Sequence, residues 1–433
     1  MSTTVPDEAY YESKELRRSR GGYLIYSIAA YWTAVLTSDD FLAKLLHSIG
    51  MKDSTVGILS SLMMLTLLAQ LAAVPLSRQI RSPKRAVTCL HVSSMVLSSV
   101  LYAVPFLHFG LGAKTTAVTV LVLAANILWY MSDPLNLAWA NTMISPYRRG
   151  SFGASRDIVQ LLSGTVIVLL VSRMVDRLEQ RGRLSTAFLV IIGILLVTSI
   201  MDFCGFMVMK DQPITTDSRR YDLKDLWTHT MGCREFRNVV ILVTGFDVAR
   251  FMTIGFMGTY KIVDLGFSLS AAQVINVVAC LLRALLSRPL GKYSDRRSFA
   301  RGYLLGCLLL LACFTAGMLT TPSTRFLMVV FVILLQANYA GTSANTSNML
   351  YCSVERDYVV PALVLANGIR GAAGFFASVI GGKILTAVQA NGNMVCGIPL
   401  RGQQLLCAVS ALITLAIILF NYRVVCRQRQ RRN

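Results

Sequence analysis

Apolar runs of roughly 20 residues recur along the whole chain, separated by short polar breaks, which is the pattern of helices long enough to cross a lipid bilayer. Twelve spans are predicted, at 23–47, 54–77, 85–107, 115–142, 153–174, 184–208, 238–264, 270–287, 302–320, 325–350, 361–387 and 403–422. The breaks are short except for 209–237, a polar stretch that carries Lys210, Arg219, Arg220, Lys224, Arg234 and Arg237. The expected organisation is an N-terminal segment at 1–22, a six-helix bundle at 23–208, a linker at 209–237, a second six-helix bundle at 238–422 and a basic tail at 423–433.

Composition supports an all-α membrane protein. Of 433 residues 54% are hydrophobic and only 15% charged, too little charge for a soluble chain of this length. The net charge of +20 is unevenly spread. With the N-terminus placed inside, most Lys and Arg fall on inner segments: the N-terminal segment, loops 2–3, 4–5 and 8–9, the linker and the tail. The outer loops have one basic cluster, "DRLEQRGR" at 176–183. This asymmetry puts both termini in the cytoplasm, with a plasma (inner) membrane as the expected location. It also accounts for the charge without nucleic acid. Arg427, Arg429, Arg431 and Arg432 suit an anionic inner leaflet. The first about 20 residues hold no apolar run, so the first span is expected to serve as the insertion signal. The ten cysteines form no CxxC pair and read as small core residues, although Cys396 and Cys407 share one outer region and are a candidate pair.

The two halves echo one another. "AVPLSRQIRSPKR" closes the second span and "SRPLGKYSDRR" the eighth, setting Pro75, Leu76 and Arg78 against Pro289, Leu290 and Lys292. "IGMKDSTVGI" parallels "LGFSLSAAQVI", and "NTMISPYRRG" parallels "NMLYCSVERD", with Asn141 over Asn348 and Arg149 over Arg356. Two six-helix repeats are a transporter plan.

At loop 8–9 the chain resembles the major facilitator superfamily (MFS). "GKYSDRR", from Gly291 through Asp295 and Arg296 to Arg297, is similar to that family's G-x-x-x-D-R signature. The matching "SRQIRSPKR" of loop 2–3 keeps the cations and lacks both Gly and Asp. The resemblance implies twelve transmembrane helices in two six-helix bundles with pseudo-two-fold symmetry, working by alternating access. It implies a monomer in the bilayer, without cofactor, metal or catalytic residues. It casts the Gly291 to Arg297 segment as a cytoplasmic gate. There Gly291 is expected to allow close packing, and Asp295 to latch onto a helix N-terminus or an Arg of the neighbouring bundle. Arg296 and Arg297 serve topology as readily as the gate. The Gly-Pro-rich motif of drug antiporters is absent from span five, and the P-E-S or P-E-T signature of sugar porters follows neither half, so no well-marked subfamily is indicated.

Ionisable and amide side chains inside spans are costly, and each is a candidate for solute or ion handling. Span one has Asp39 and Asp40, with Lys44 one turn beyond Asp40. Span four aligns Asn126, Trp129, Asp133 and Asn136, with Pro134 beside the carboxylate. Span seven has Asp247 and Arg250, span ten Asn338, Asn345 and Asn348, and span eleven Asn367 and Arg370. The resemblance places spans one, four, seven and ten around the central pathway. Plainer readings exist: an intrahelical ion pair for Asp247 and Arg250, an outer-end pair in water for Asp40 and Lys44, interhelical hydrogen bonding for the Asn residues. Asp202, Lys261, Asp264 and Lys383 lie near span ends and are expected to be solvated. Asp39 and Asp133 lack partners on their own helices, which makes them the preferred proton carriers, Asp133 first for its depth. Arg250 and Arg370 keep their charge and suit an anionic group.

The leading reading is a secondary transporter of a small polar solute, anionic if the arginines anchor it, with a proton favoured over sodium as the coupling ion. Multidrug or metabolite efflux by the same fold is the alternative. A membrane-embedded enzyme is a remote one, since His47, His91, His108 and His229 are scattered and no HExxH or GxSxG occurs. A sensor would bring a further soluble domain.

Overall fold

The computed structural model describes residues 8–37, 39–52, 80, 82–145, 149–212, 223–354, 359–395 and 397–426, together with isolated positions between 55 and 70. It separates into two compact units, Met1–Met51 with Thr66–Ser218 and Lys52–Leu65 with Arg219–Asn433. The division after Ser218 falls inside the polar linker.

The N-terminal unit begins with a single turn, α1 (Glu8–Tyr11), followed by α2 (Lys14–Leu36) and α3 (Asp39–Ile49). The first span is therefore two helices rather than the one expected at 23–47. The break falls on "TSDD", side chains that bond their own backbone and suit helix starts. Asp39 and Asp40 occupy the first turn of α3, where carboxylates favour the helix dipole. Next come α4 (Pro83–Leu101), α5 (Leu111–Asn141), α6 (Arg149–Gln180) and α7 (Leu184–Val208). The start of α4 has Pro83 in its first turn, with the Ser82 hydroxyl accepting from the Arg85 amide at 3.3 Å. The α6–α7 turn closes on Gly182, whose φ of +69° lets Arg183 N–H reach the Leu178 carbonyl.

Association of helices in lipid is driven by close van der Waals packing, not by hiding apolar surface. The α2–α7 crossing follows this rule. A Cβ on Gly22 would lie 2.5 Å from the Gly205 carbonyl oxygen, and one on Gly205 would lie 2.9 Å from the Tyr26 amide nitrogen. Side chains one turn away are thereby pressed together, and Tyr26 meets Phe206 at 4.7 Å between ring centres. The outer faces stay apolar: Leu162, Ile200 and Phe203 are exposed, as lipid contact requires.

In the C-terminal unit the run is α8 (Leu223–Met231), α9 (Arg234–Phe251), α10 (Ile254–Thr259) with a π-helical turn at Tyr260–Asp264, α11 (Leu269–Arg296), α12 (Phe299–Met318), α13 (Phe326–Tyr351), α14 (Val359–Ala390) and α15 (Gly402–Phe420). A two-residue antiparallel ladder, Met394–Val395 with Ile398–Pro399, joins α14 to α15. Part of the expected linker is thus helical, in α8 and the first turn of α9. Span seven, like span one, is interrupted: α9 stops at Phe251, and the Thr253 hydroxyl bonds the Leu406 carbonyl (3.1 Å) and the Ser410 hydroxyl (2.7 Å). Both interrupted spans then end on a left-handed glycine, Gly50 at φ +86° and Gly266 at φ +67°. The sequence echo between "IGMKDSTVGI" and "LGFSLSAAQVI" is therefore also a conformational one.

Nine helices among the described residues are long and apolar enough to span a bilayer. They correspond to spans four to twelve. Span one is split, much of span two lies outside the described residues, and α4 opens on Lys84 and Arg85.

Candidate substrate and ion site

The C-terminal unit gathers its ionisable residues where span seven breaks. Asp247 and Arg250 stand one turn apart near the end of α9, with Nη1 of Arg250 3.4 Å from the Asp247 carboxylate. Across from them, Arg370 of α14 donates from Nε to the same carboxylate at 2.6 Å, and its Nη1 donates to the Asn367 amide oxygen at 3.0 Å. Asp247 is buried, so two guanidinium groups share one shielded carboxylate. The self-contained intrahelical pair expected of Asp247 and Arg250 is only half of the arrangement.

Aromatic faces hold the excess charge. The Arg250 guanidinium lies 4.5 Å from the Phe251 ring centre and 5.0 Å from that of Tyr339 on α13. Arg283 of α11 approaches the same Tyr339 ring at 5.2 Å. Each such contact contributes about 0.5–2 kcal/mol, yet none neutralises a cation. Gly374, one turn beyond Arg370, makes room for this: a Cβ there would come within 2.6 Å of the Phe251 ring. Among the described residues the cluster therefore combines three guanidinium groups with one carboxylate. Nε of Arg250, the Tyr303 hydroxyl and both amide atoms of the fully buried Asn338 have no hydrogen-bond partner among the described residues.

In the N-terminal unit the structure assembles a pair that the sequence reading passed over. His91 of α4 and Asp202 of α7 meet at 2.9 Å between Nδ1 and Oδ2, with 1% and 0% of their side chains exposed. Asp202, expected to be solvated near a span end, is instead inside the bundle, six residues short of the end of α7. Trp129 lies against the His91 ring at 4.5 Å between ring centres, and Tyr26 at 5.0 Å. Asp133, one turn beyond Trp129 on α5, is exposed and lies within electrostatic range of His91 and of Arg156 on α6.

The other predicted residues divide. Asn126 bonds its own helix through the Val122 carbonyl at 2.8 Å, and Asn136 is buried, its carbonyl oxygen without a hydrogen-bond partner among the described residues. Asn345 bridges helices, donating to the Ser294 hydroxyl of α11 at 2.9 Å. Lys44 pairs with Glu179 at 2.5 Å, and Asp40 is buried at 1% exposure, so the plainer reading of an outer-end pair in water does not describe Asp40. Asp264 pairs with Arg401, and Lys261 is buried. The Asp39 side chain and Cys396 lie outside the described residues.

The gate segment also differs from expectation. "RPLGKYSDRRSFARG" is mostly helix, because α11 continues through Pro289 to Arg296 and α12 starts at Phe299. A Cβ on Gly291 would meet nothing within 4 Å among the described residues. Close packing falls on Gly302 of α12, where a Cβ would collide with Ser294 and Asn345. Asp295, Arg296 and Arg297 are exposed at the end of α11.

A mostly helical chain in two units, with nine helices among the described residues long and apolar enough to span a bilayer and charge clusters buried among them, has the architecture of a membrane transporter. The family model described as Major Facilitator Superfamily matches residues 21–382, and the chain belongs to that superfamily. Solved structures with a similar fold include the nucleoside transporter NupG, 12% identical with a TM-score of 0.67 over 95% of this chain and 98% of that one. A bacterial homolog to the human lysosomal transporter Spinster is 12% identical with a TM-score of 0.66, over 96% and 97% of the two chains. A POT family transporter in complex with thioalcohol-conjugated peptide is 12% identical with a TM-score of 0.64, over 94% and 95%. At such identities the likeness is one of fold. No curated protein matches the chain. The protein is a multi-pass membrane transporter, not an enzyme.

Proposed function

We propose that the chain carries a small anionic solute by alternating access, driven by a proton gradient, with both termini in the cytoplasm of a plasma (inner) membrane. The observation that supports this reading is the set of three guanidinium groups, Arg250, Arg283 and Arg370, against the single carboxylate of Asp247. Arginine cannot shed its charge, and an unbalanced cation inside a span is costly. A carboxylate or phosphate group on the solute supplies the missing anion. In this reading Arg250 and Arg283, both beside the Tyr339 ring, bind it, while Asp247 holds Arg370 in place. Asp133 is the carboxylate that takes the driving proton, and the exposed Asp295 contributes to the cytoplasmic gate. A carboxylate in the last turn of α11 opposes its own helix dipole, which favours a role outside that helix.

The test is a thermal-shift screen of purified protein against small carboxylates, phosphate esters, nucleosides and dipeptides, since a true solute stabilises the state it binds. Anionic compounds are expected to raise the melting temperature of the wild type and to lose that effect in Arg250→Gln and Arg283→Gln. Stabilisation by neutral compounds alone, unchanged in both variants, would sink the anion reading. The proton is tested in vesicles loaded with the hit compound. Asp133→Asn, which mimics the protonated acid, should still exchange labelled compound at equilibrium but fail to accumulate it under an imposed pH gradient. Accumulation at the wild-type level removes Asp133 from the coupling role.

A further inference from the structure

We propose that the buried pair of His91 and Asp202 is a proton-binding site of the N-terminal unit, acting together with Asp133. The proposal deepens the proton-coupled reading above, on which it rests for its purpose though not for its test.

Several observations carry it. His91 and Asp202 touch at 2.9 Å with at most 1% of either side chain exposed. Each leaves one polar atom with no hydrogen-bond partner among the described residues, Nε2 of His91 and Oδ1 of Asp202. A bridge serving only to hold α4 to α7 would be expected to satisfy these atoms, because bare buried polar groups are costly. Bare acceptor positions are what a group that takes up a further proton must offer. With a single proton between Nδ1 and Oδ2 the pair has a net charge of −1. A second proton, entering from water and landing on Nε2 or Oδ1, makes the pair neutral, and no covalent bond other than the new N–H or O–H changes.

The surroundings are suited to that change. The His91 ring is flanked by Trp129 (4.5 Å), Tyr26 (5.0 Å) and Phe206 (5.7 Å between ring centres), an aromatic shell around the pair. The titratable and charged groups facing the pair are few. From α5 there is Asp133, which interacts electrostatically with His91. From α2 there is Tyr26, which feels both Asp133 and Asp202, and beside it Tyr23. From α6 comes Arg156, bonded to the Tyr23 hydroxyl at 3.0 Å and to Asp157 at 2.8 Å. Asp202, His91 and Asp133 thus form one electrostatic unit that spans α7, α4 and α5. Protonating the buried pair changes its net charge by one unit, and that change shifts the proton affinity of the carboxylate coupled to it.

The experiment needs no solute. The chain has four histidines, and His47, His108 and His229 are exposed. A full-length His47→Gln, His108→Gln, His229→Gln variant, labelled with ¹⁵N-histidine and held in lipid nanodiscs, reports His91 alone by NMR. A pH series of its ring nitrogen shifts reads proton uptake at the pair directly, and a change in those shifts with pH is the expected result. Asp202→Asn in that background should move the midpoint by about one pH unit or more, a tenfold change in proton affinity, and Asp133→Asn should move it less in the same direction. Flat ring shifts across the range overturn the proposal, as does a midpoint indifferent to Asp202→Asn. If Asp202→Asn does not yield folded protein, Asp202→Ser, which also removes the charge, is held to the same criterion. A negative result here leaves the transport reading standing, and a failed solute screen leaves this one standing.

Discussion

Asp247 is the residue on which the C-terminal cluster turns, because it is the shared partner of Arg250 and Arg370. Replacing it with Asn keeps the shape and removes the charge that both guanidinium groups face. Breaking a buried ion pair from one side costs roughly 3–5 kcal/mol, and a loss of that order is expected for Asp247→Asn in denaturant unfolding of detergent-solubilised protein. Adding Arg370→Gln should recover part of the loss, since the second change removes one of the stranded cations. A double variant as unstable as the sum of the singles would mean the two residues are not coupled.

A second residue-scale expectation concerns pH and lies outside the spans. Glu15 at the start of α2 accepts a hydrogen bond from Lys210 at 2.6 Å. That bond, and then the charge of Lys210, hold the Glu15 carboxyl below its usual range, while the same partner pushes Lys210 above its own. A carboxyl with a lowered folded pKa contributes stability above its unfolded pKa and loses it as pH falls through the folded value. A raised lysine contributes below its unfolded pKa and loses its share as pH rises through the folded one. The contact should therefore persist through neutral pH and weaken at both extremes. Both side chains are exposed, so the effect is local. Proteolysis near residue 15 should quicken in acid in the wild type, and Glu15→Gln should show the quicker rate already at neutral pH.

Among the helices, the α2–α7 crossing is set by two absent side chains. Gly22 and Gly205 bring the backbones close enough that a Cβ on either would strike the other helix. Gly205→Leu should force the helices apart and lower the melting temperature. It should also disturb the Tyr26 and Phe206 packing around His91, visible as a changed ¹⁵N shift in the histidine-only variant. Gly291→Leu is the control, since open space surrounds that position, and it should leave stability within about 0.5 kcal/mol of wild type, as for ordinary surface changes. The contrast is informative because the sequence marks Gly291, by its signature, as the close-packed glycine.

For the molecule as a whole, the distribution of basic residues makes a topological statement that can be checked directly. Single cysteines at positions 220 and 430, in a background without the native thiols, should resist impermeant thiol reagents in intact cells and react once the membrane is opened. Labelling from outside at either site would reverse the orientation. On the gate, Asp295→Asn should slow turnover of an identified solute more than it weakens its binding, because it alters the balance between conformations and leaves the Arg250 cluster intact. Normal turnover with weakened binding would remove Asp295 from that role.

The sequence alone determined the class. Repeated apolar runs, the GKYSDRR signature and the six-plus-six echo are enough for a membrane transporter of this superfamily, because a bilayer demands long, nearly uninterrupted apolar helices, a constraint strong enough to read one residue at a time. It also marked Asp247, Arg250 and Arg370 as candidates, since charges stand out in an apolar run. The tertiary structure alone decided their partners. Arg370 reaches Asp247 across two helices 123 positions apart in the chain, and His91 reaches Asp202 across 111. A lone His inside "AVTCLHVSSM" and a lone Asp inside "LVTSIMDFCGF" were each visible, but no helical period connects them. The side-chain neighbours that a spacing rule can identify are those on the same helix, three or four residues apart. Which face of one helix meets which face of another depends on where small residues let backbones approach, as Gly22 and Gly205 do, and that is settled only when the helices pack.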